Sequence, residues 1–416
     1  LSFSLTDIRR HRLENGLTIL TRENHTFPIV TTMIWYRLGS RHEQPGITGA
    51  AHLIEHMMFK GTKRFRKGEI DYITTRQGGF NNAFTSFDYT AYYFSFASDR
   101  WLPSLEIEAD RMVNNNFDEQ EFELEKQVIL EELRMELDQP WEILRQKVAR
   151  SAFKSHPYGL PVIGLSGDVA GLIVSAVRRH YEHYYLPSNA TLVIVGDFET
   201  QGAIEKIHEL FGPLPTAEVP SYSVAQEEGP SEKTSLAVEH PTTIPRLIVG
   251  LPAPSVHDPQ LFAFHLLDKI LTEGKLSRLF HRLIEKDRLA SMVTSEICET
   301  NDPFLLLIRV EVNASSSVQA VETALFEELD KLTRETPTPE ELERAKKKCA
   351  AHYLNDLETT SDLAFSIGLY ETLNRLDVLT DYCERIEAVA PEEITAAAKS
   401  CLDPNRAIVG KMLPES

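Results

Sequence analysis

Cysteine is scarce in this chain: the 416 residues hold four, Cys298, Cys349, Cys383 and Cys401, all in the second half and none in CxxC or other metal-ligand spacing. That excludes a disulfide-stapled scaffold and a cysteine-ligated zinc module, and it fits reduced thiols of a cytosolic type. Basic charge is also short, with 43 Lys and Arg against 62 Asp and Glu, a net charge of −19. General nucleic-acid binding needs a basic footprint, so no nucleic-acid partner is expected. The acidic excess serves solubility first and would suit positively charged peptides second. Long hydrophobic runs are missing too: none reaches the ~18 residues that span a bilayer. No signal-peptide pattern opens the chain, whose first residue is Leu1. The expectation is a soluble protein without a membrane span, cytoplasmic first, with an organelle or the periplasm as alternatives.

What is present points to more than one globular unit. A chain of 416 residues exceeds one ordinary domain, and two of about 200 residues are the natural division. Residues 215–233 are polar, contain Pro, Gly and Ser, and lack periodicity, so they read as a linker between units at 1–214 and 234–416. Strand patterns cover Leu17–Arg22, Ile29–Tyr36, Phe80–Phe84, Ala91–Ala97 and Thr191–Val195. Helical patterns lie near 48–60, 68–77, 99–114, 119–138, 141–153 and 201–210. Short antiparallel-type strands beside several helices predict an α+β fold, a sheet backed by helices.

His52-Leu53-Ile54-Glu55-His56 carries the chemistry. On a helix, positions i and i+4 share a face, so His52 and His56 can grip one metal ion. Glu55 lies roughly 100° round from His56, near enough to work on water without being a ligand. This order is the inverted zincin pattern. The plain alternative is a polar helix face. Against it, Ala50, Ala51, Leu53, Ile54, Met57, Met58 and Phe59 crowd the remaining faces, and buried imidazoles and carboxylates need a strong partner. The loop Gln44–Thr48 ends near a Thr N-cap, and Gly61 stops the run.

The chain also tells its story twice. Thr26-Phe27-Pro28 precedes the first long strand, and Thr243-Ile244-Pro245 precedes Leu247–Leu251. His265-Leu266-Leu267-Asp268-Lys269 then falls where the pentapeptide falls, with Gly274 echoing Gly61. An ammonium group has no lone pair to donate, so Lys269 cannot replace the second histidine. The second copy repeats the fold and has lost the chemistry.

A zinc site that cleaves bonds has three protein ligands and an open position. The acidic stretch Glu119–Glu132 is the best source of the third, and periodicity does not choose among its carboxylates. Here a resemblance enters. His52 to Thr62, then Asn82-Ala83-Phe84-Thr85-Ser86, Glu125 to Glu132, and later His156-Pro157-Tyr158-Gly159 and Ser277-Arg278-Leu279-Phe280, resemble the M16 (pitrilysin-type, insulinase-like) metallopeptidases. The likeness is nearest the subfamily of the mitochondrial processing peptidase β subunit and its bacterial relatives, and spans nearly the whole chain.

The resemblance implies one Zn2+ per chain, held by His52, His56 and Glu132, with Glu55 as general base. It implies that Glu125 is an auxiliary acid orienting a histidine or the water. Asn82 and Ala83 match the strand edge that pairs with an extended peptide substrate. On this reading 1–214 is the catalytic domain and 234–416 its non-catalytic homologue, together one lobe of a clamshell. A second M16-like subunit would supply the other lobe, a zinc-free partner before a second copy of this chain. The segment Ile297–Phe304 lacks the Arg and Tyr that some relatives use to hold substrate, and the glycine-rich loop of the processing peptidase's non-catalytic subunit is missing. Two other classes stay in play: a structural or regulatory subunit of a larger complex, and a small-molecule zinc hydrolase.

Overall fold

The computed structural model describes residues 7–224, 227 and 229–415. Two sheets of one design organise them. In the first, β1 (Arg9–Arg12), β2 (Thr18–Glu23), β3 (Ile29–Tyr36), β4 (Phe80–Thr85), β5 (Thr90–Ala97) and β6 (Ala190–Gly196) lie in the order β1-β2-β6-β3-β5-β4. In the second, β7 (Thr234–His240), β8 (Arg246–Ala253), β9 (Ala290–Ile297), β10 (Phe304–Val312) and β11 (Ile408–Pro414) lie in the order β7-β11-β8-β10-β9. The β2–β6 and β7–β11 pairs are parallel, and every other pair is antiparallel. Apart from β1 the sheets match strand for strand, which makes β4 and β9 corresponding outer edges. The repeat read from the sequence is therefore a repeat of topology. Helix α1 (Ala50–Met57) follows β3 just as α4 (Leu261–Thr272) follows β8.

Side chains alternate across a strand, so each sheet has two faces to cover. One face is covered by the sheet's own half. Ile19, Val30, Ile34, Phe94 and Ile194 pack on α1 and its neighbours, and Leu247, Val249, Leu306 and Val409 pack on α4 and its neighbours. The other face is covered by the opposite half. Helix α3 (Pro140–Ala152) sets Leu144, Val148 and Ala152 against Ile248, Leu305, Leu307 and Met412 of the second sheet. Helix α5 (Thr360–Thr372) sets Leu363, Ala364 and Ile367 against Leu20, Met33, Trp35 and Val193 of the first. Burial on both faces is why β3 and β6 are nearly continuous apolar runs.

Glycine permits both crossings. A methyl group on Gly250 would sit 2.8 Å from Val148, and one on Gly368 would sit 1.9 Å from the Trp35 indole nitrogen. A polar joint reinforces them. Arg41 Nη2 lies 2.6 Å from Asp302, His156 Nε2 lies 3.1 Å from the same carboxylate, and the Tyr158 hydroxyl donates to Asp88 at 2.8 Å. The His-Pro-Tyr-Gly motif and the Ile297–Phe304 segment thus meet where the halves join.

The strand readings hold to within a residue or so at each end, and the helices at 69–76, 103–114, 119–137, 140–152 and 200–211 fall where expected. The cap of α1 is a correction. Thr48 does not cap it: its hydroxyl donates to Asp168 at 2.8 Å and accepts from the Leu165 amide. Gly49, with φ of +87°, turns the chain into the helix, and the Glu43 carboxylate accepts from the Gly49 and Ala51 amides at 2.8 and 2.7 Å. Among the described residues all four cysteines are free thiols, and no helix is long and apolar enough to cross a membrane.

Candidate metal centre

Helix α1 buries Ala50, Ala51, Leu53, Ile54 and Met57, which leaves His52, Glu55 and His56 on its half-buried side. The two imidazoles lie with ring centroids 4.7 Å apart. Helix α2 (Glu119–Leu137) crosses beside them. Its start is secured by Asp118, whose side chain accepts from the Gln120 and Glu121 amides, and it buries Phe122, Ile129 and Leu133. Leu124, Val128 and Met135 point outward. Glu125 and Glu132, seven residues apart, share the side that faces α1.

One donor atom from each of His52, His56 and Glu132 lies within 4.8 Å of the other two, the only such group of His, Cys, Asp or Glu among the described residues. His56 Nε2 and Glu132 Oε2 are 3.6 Å apart, close to the ~3.4 Å edge of a tetrahedron with ligand bonds of about 2.1 Å. The other ring nitrogen of His56, Nδ1, is 3.1 Å from Glu125 Oε2, and Lys60 Nζ is 2.7 Å from Glu125 Oε1. Glu125 therefore fixes the His56 ring from behind, leaving Nε2 to face Glu132. A carboxylate behind a ligating histidine is the usual second support of a metal site.

Without a metal ion, the electrostatics of these groups differ from one to the next. Burial, then the neighbouring His56, lowers the pKa of His52 to about 3, so its imidazole is neutral and has a lone pair to donate. Burial also works against a charged His56, but Glu125, Glu132 and Glu55 outweigh it and raise the pKa. Burial raises Glu55 above the ordinary carboxylate range, opposed by a hydrogen bond from Thr85 and by His56. Glu125 moves the other way, because His56 and Lys60 overcome its burial.

Asn82 and Ala83 sit on β4, in register with Tyr93 and Tyr92 of β5. Among the described residues no strand pairs with its outer edge. The Asn82 side chain accepts from the Ala83 amide at 2.9 Å, covering an edge donor that an added strand would take. At the end of the same strand, Thr85 Oγ1 donates to Glu55 Oε2 at 2.5 Å. The structure thus gathers His52, Glu55, His56, Glu125 and Glu132 at one place with the Asn82–Ala83 edge beside it. Sequence reasoning missed Thr85, Lys60 and Glu43. Thr85 was legible in part, being two residues past Ala83 and so on the same side of a strand.

The corresponding place in the second half is different. Lys269 Nζ lies 3.3 Å from Asp268, Ser295 donates to the same carboxylate, and His265 Nε2 lies 3.3 Å from Glu299. Tyr382 also lies 3.2 Å from His265 Nδ1, and the Tyr370 hydroxyl donates to Glu299.

The family model described as "Insulinase (Peptidase family M16)" matches residues 18–165, and that described as "Peptidase M16 inactive domain" matches residues 172–349. The zinc protease PqqE of Helicobacter pylori is 31% identical over 376 residues, which cover 89% of this chain and 84% of that protein. The chain belongs to peptidase family M16. A second M16 relative, the uncharacterized zinc protease YmxG of Bacillus subtilis, is 29% identical over 94% of this chain and 95% of its own. Among solved structures, a protease from Helicobacter pylori superposes with a TM-score of 0.93 at 28% identity, covering 98% of this chain and 99% of that one. The periplasmic protease PqqL of Escherichia coli shares the fold, with a TM-score of 0.81 at 20% identity. This M16 chain is covered over 99% of its length there but accounts for only 48% of PqqL.

Proposed function

We propose that this M16 chain is a zinc-dependent endopeptidase that hydrolyses extended peptides or unfolded segments inside a two-lobed chamber. The observation that carries the reading is the convergence of His52, His56 and Glu132 on one point, with Glu55 adjacent. Two neutral or neutralisable imidazoles and a carboxylate form the His₂Glu donor set of catalytic zinc sites, which leaves a fourth position open. One ion per chain follows, since Lys269 stands at the matching place in the second half. The names of the zinc protease relatives support the same metal.

When bound, Zn2+ supplies Lewis acidity that acidifies water and polarises a peptide carbonyl. The chain's own residues do the rest. The β4 edge at Asn82 and Ala83 pairs with the substrate backbone and lays it across the site as an added strand. Glu125 holds His56 in place. Glu55 takes a proton from the attacking water as its oxygen bonds to the carbonyl carbon, then delivers that proton to the amine nitrogen as the C–N bond breaks.

We assign this chemistry to residues 1–214 and the supporting copy to 234–416, joined by 215–233. The chamber needs a second lobe, and a zinc-free M16-like subunit is the first candidate, with a second copy of this chain next. That the same fold fills only 48% of PqqL supports an assembly of two such units. The test is copurification from the native source, with zinc content and cleavage of an unstructured peptide measured on the complex obtained. Chelation should abolish cleavage and added zinc restore it. A zinc-free complex, or cleavage indifferent to chelator, would overturn the reading.

A further inference from the structure

Resting on that endopeptidase reading, the geometry points to Thr85 as a positioning residue: its hydroxyl turns the Glu55 carboxylate so that one defined oxygen serves as the base. Among the described residues Thr85 is the sole hydrogen-bond donor to Glu55, at 2.5 Å on Oε2. Oε1 is left without a donor, and it is the oxygen free to accept a proton. Thr85 keeps its own proton throughout, so the proton taken from water and the proton given to the amine both travel through Glu55 Oε1.

Three features fix the direction of that hydroxyl. Thr85 is the last residue of β4 and pairs with Thr90 of β5. The Thr90 hydroxyl, 3.4 Å away, donates to the Leu38 carbonyl at 2.8 Å and so does not compete for the carboxylate. The turn beyond Thr85 is pinned: the Ser40 and Arg41 amides donate to the Ser86 and Phe87 carbonyls at 3.1 and 2.8 Å, and Tyr158 holds Asp88. Ala83 lies two residues back on the same side of the strand. The strand proposed to hold the substrate backbone therefore also aims the base, which ties the two in one rigid element.

The second half holds a related hydroxyl–carboxylate contact between its edge strand and its helix. Ser295 of β9 donates to Asp268 of α4, as Thr85 of β4 donates to Glu55 of α1. There Lys269 takes the rest of the carboxylate, at 3.3 Å. By strand register Ser295 stands where Asn81 stands in β4, and Glu299 holds the place of Thr85, so the two contacts are made from different places on their edge strands. Only in the first copy does the carboxylate keep an oxygen without a partner.

The test compares Thr85→Val, Thr85→Ser, Glu55→Gln and the Thr85→Val/Glu55→Gln pair, each in the assembly that the parent chain forms. Thr85→Val should lower kcat roughly 10- to 100-fold, the range seen when a supporting contact behind an active site is lost, with zinc content unchanged. KM should stay within about twofold of the parent, because the strand edge is intact. Thr85→Ser should recover most of the loss, and the Val change should cost nothing further beside Glu55→Gln. A Thr85→Val protein with parental kcat, or a Ser variant as poor as Val, would overturn the assignment. So would a loss tracked by departing zinc or rising KM. A crystal structure of Thr85→Val gives a reading apart from activity: the carboxylate should rotate, and one held in the parental orientation overturns the proposal. Absence of chelator-sensitive cleavage by the parent would instead defeat the endopeptidase reading, leaving the crystallographic comparison to decide Thr85.

Discussion

Glu125 and Glu132 occupy one side of one helix, yet their surroundings give them different work. Glu125 is buried, paired with Lys60 and hydrogen-bonded to His56, whereas the Glu132 side chain is 42% exposed and faces the open side of the site. Glu125→Gln should therefore weaken zinc binding about 10- to 100-fold, as seen for partners of ligating histidines, measured by chelator competition. Glu55→Gln should keep its zinc and lose about 100-fold or more in kcat, the scale of a general base. His52→Ala should lose the metal, and elemental analysis of both variants distinguishes them. A histidine outside the ligand set reports on pH. Burial, with His183 nearby, lowers His180 from 6.5 to about 4, so the folded chain holds it neutral while the unfolded chain protonates below 6.5. The unfolded state binds the extra proton in that window, so stability falls as pH drops from 6.5 toward 4. In urea melts at pH 5 and 7, His180→Leu should lose less stability on acidification than the parent.

At the scale of elements, alternation and helical periodicity found five strands and the longer helices of the first half, and only the Leu247–Leu251 run and the helix holding His265 in the second, because burial on defined faces is what those patterns encode. Three of the misses have plain physical reasons. β1 reads Arg9-Arg10-His11-Arg12, with no apolar alternation, and exists because β2 offers it a ladder of partners. The α1 cap comes from Glu43, six residues before Gly49, so no local capping motif announces it. Glu132 could not be chosen from its acidic neighbours, since which side of α2 faces α1 is a matter of packing. Glu43→Ala would strand two buried amides and should cost about 1–3 kcal/mol, read as a lower melting temperature with weaker zinc retention.

At the scale of the molecule, the exchange of α3 and α5 was the least legible feature. Only α3 shows an apolar face in the sequence, the apolar residues of α5 being spread round the helix, and nothing in either says which sheet receives it. Gly368→Ala tests the crossing. Its new methyl would meet the Trp35 indole at 1.9 Å and should cost about 1–3 kcal/mol, as overpacking does. Thermal melting should show one transition moving for both halves together, since neither sheet is covered without the other. Each half expressed alone should aggregate, exposing Met33, Trp35 and Val193 in one case and Ile248, Leu305 and Leu307 in the other.

The exchanged helices also bear on heredity. A duplicated unit without a metal-ligand set is ordinarily free to decay, and here it is not, because it roofs the copy that holds His52, His56 and Glu132. In a saturation mutagenesis screen scored by peptidase output, the α5 positions Leu363, Ala364 and Ile367 should be nearly as intolerant of change as the helix that carries the histidines. The boundary between active and inactive halves would be invisible in such a map, and only zinc content would redraw it.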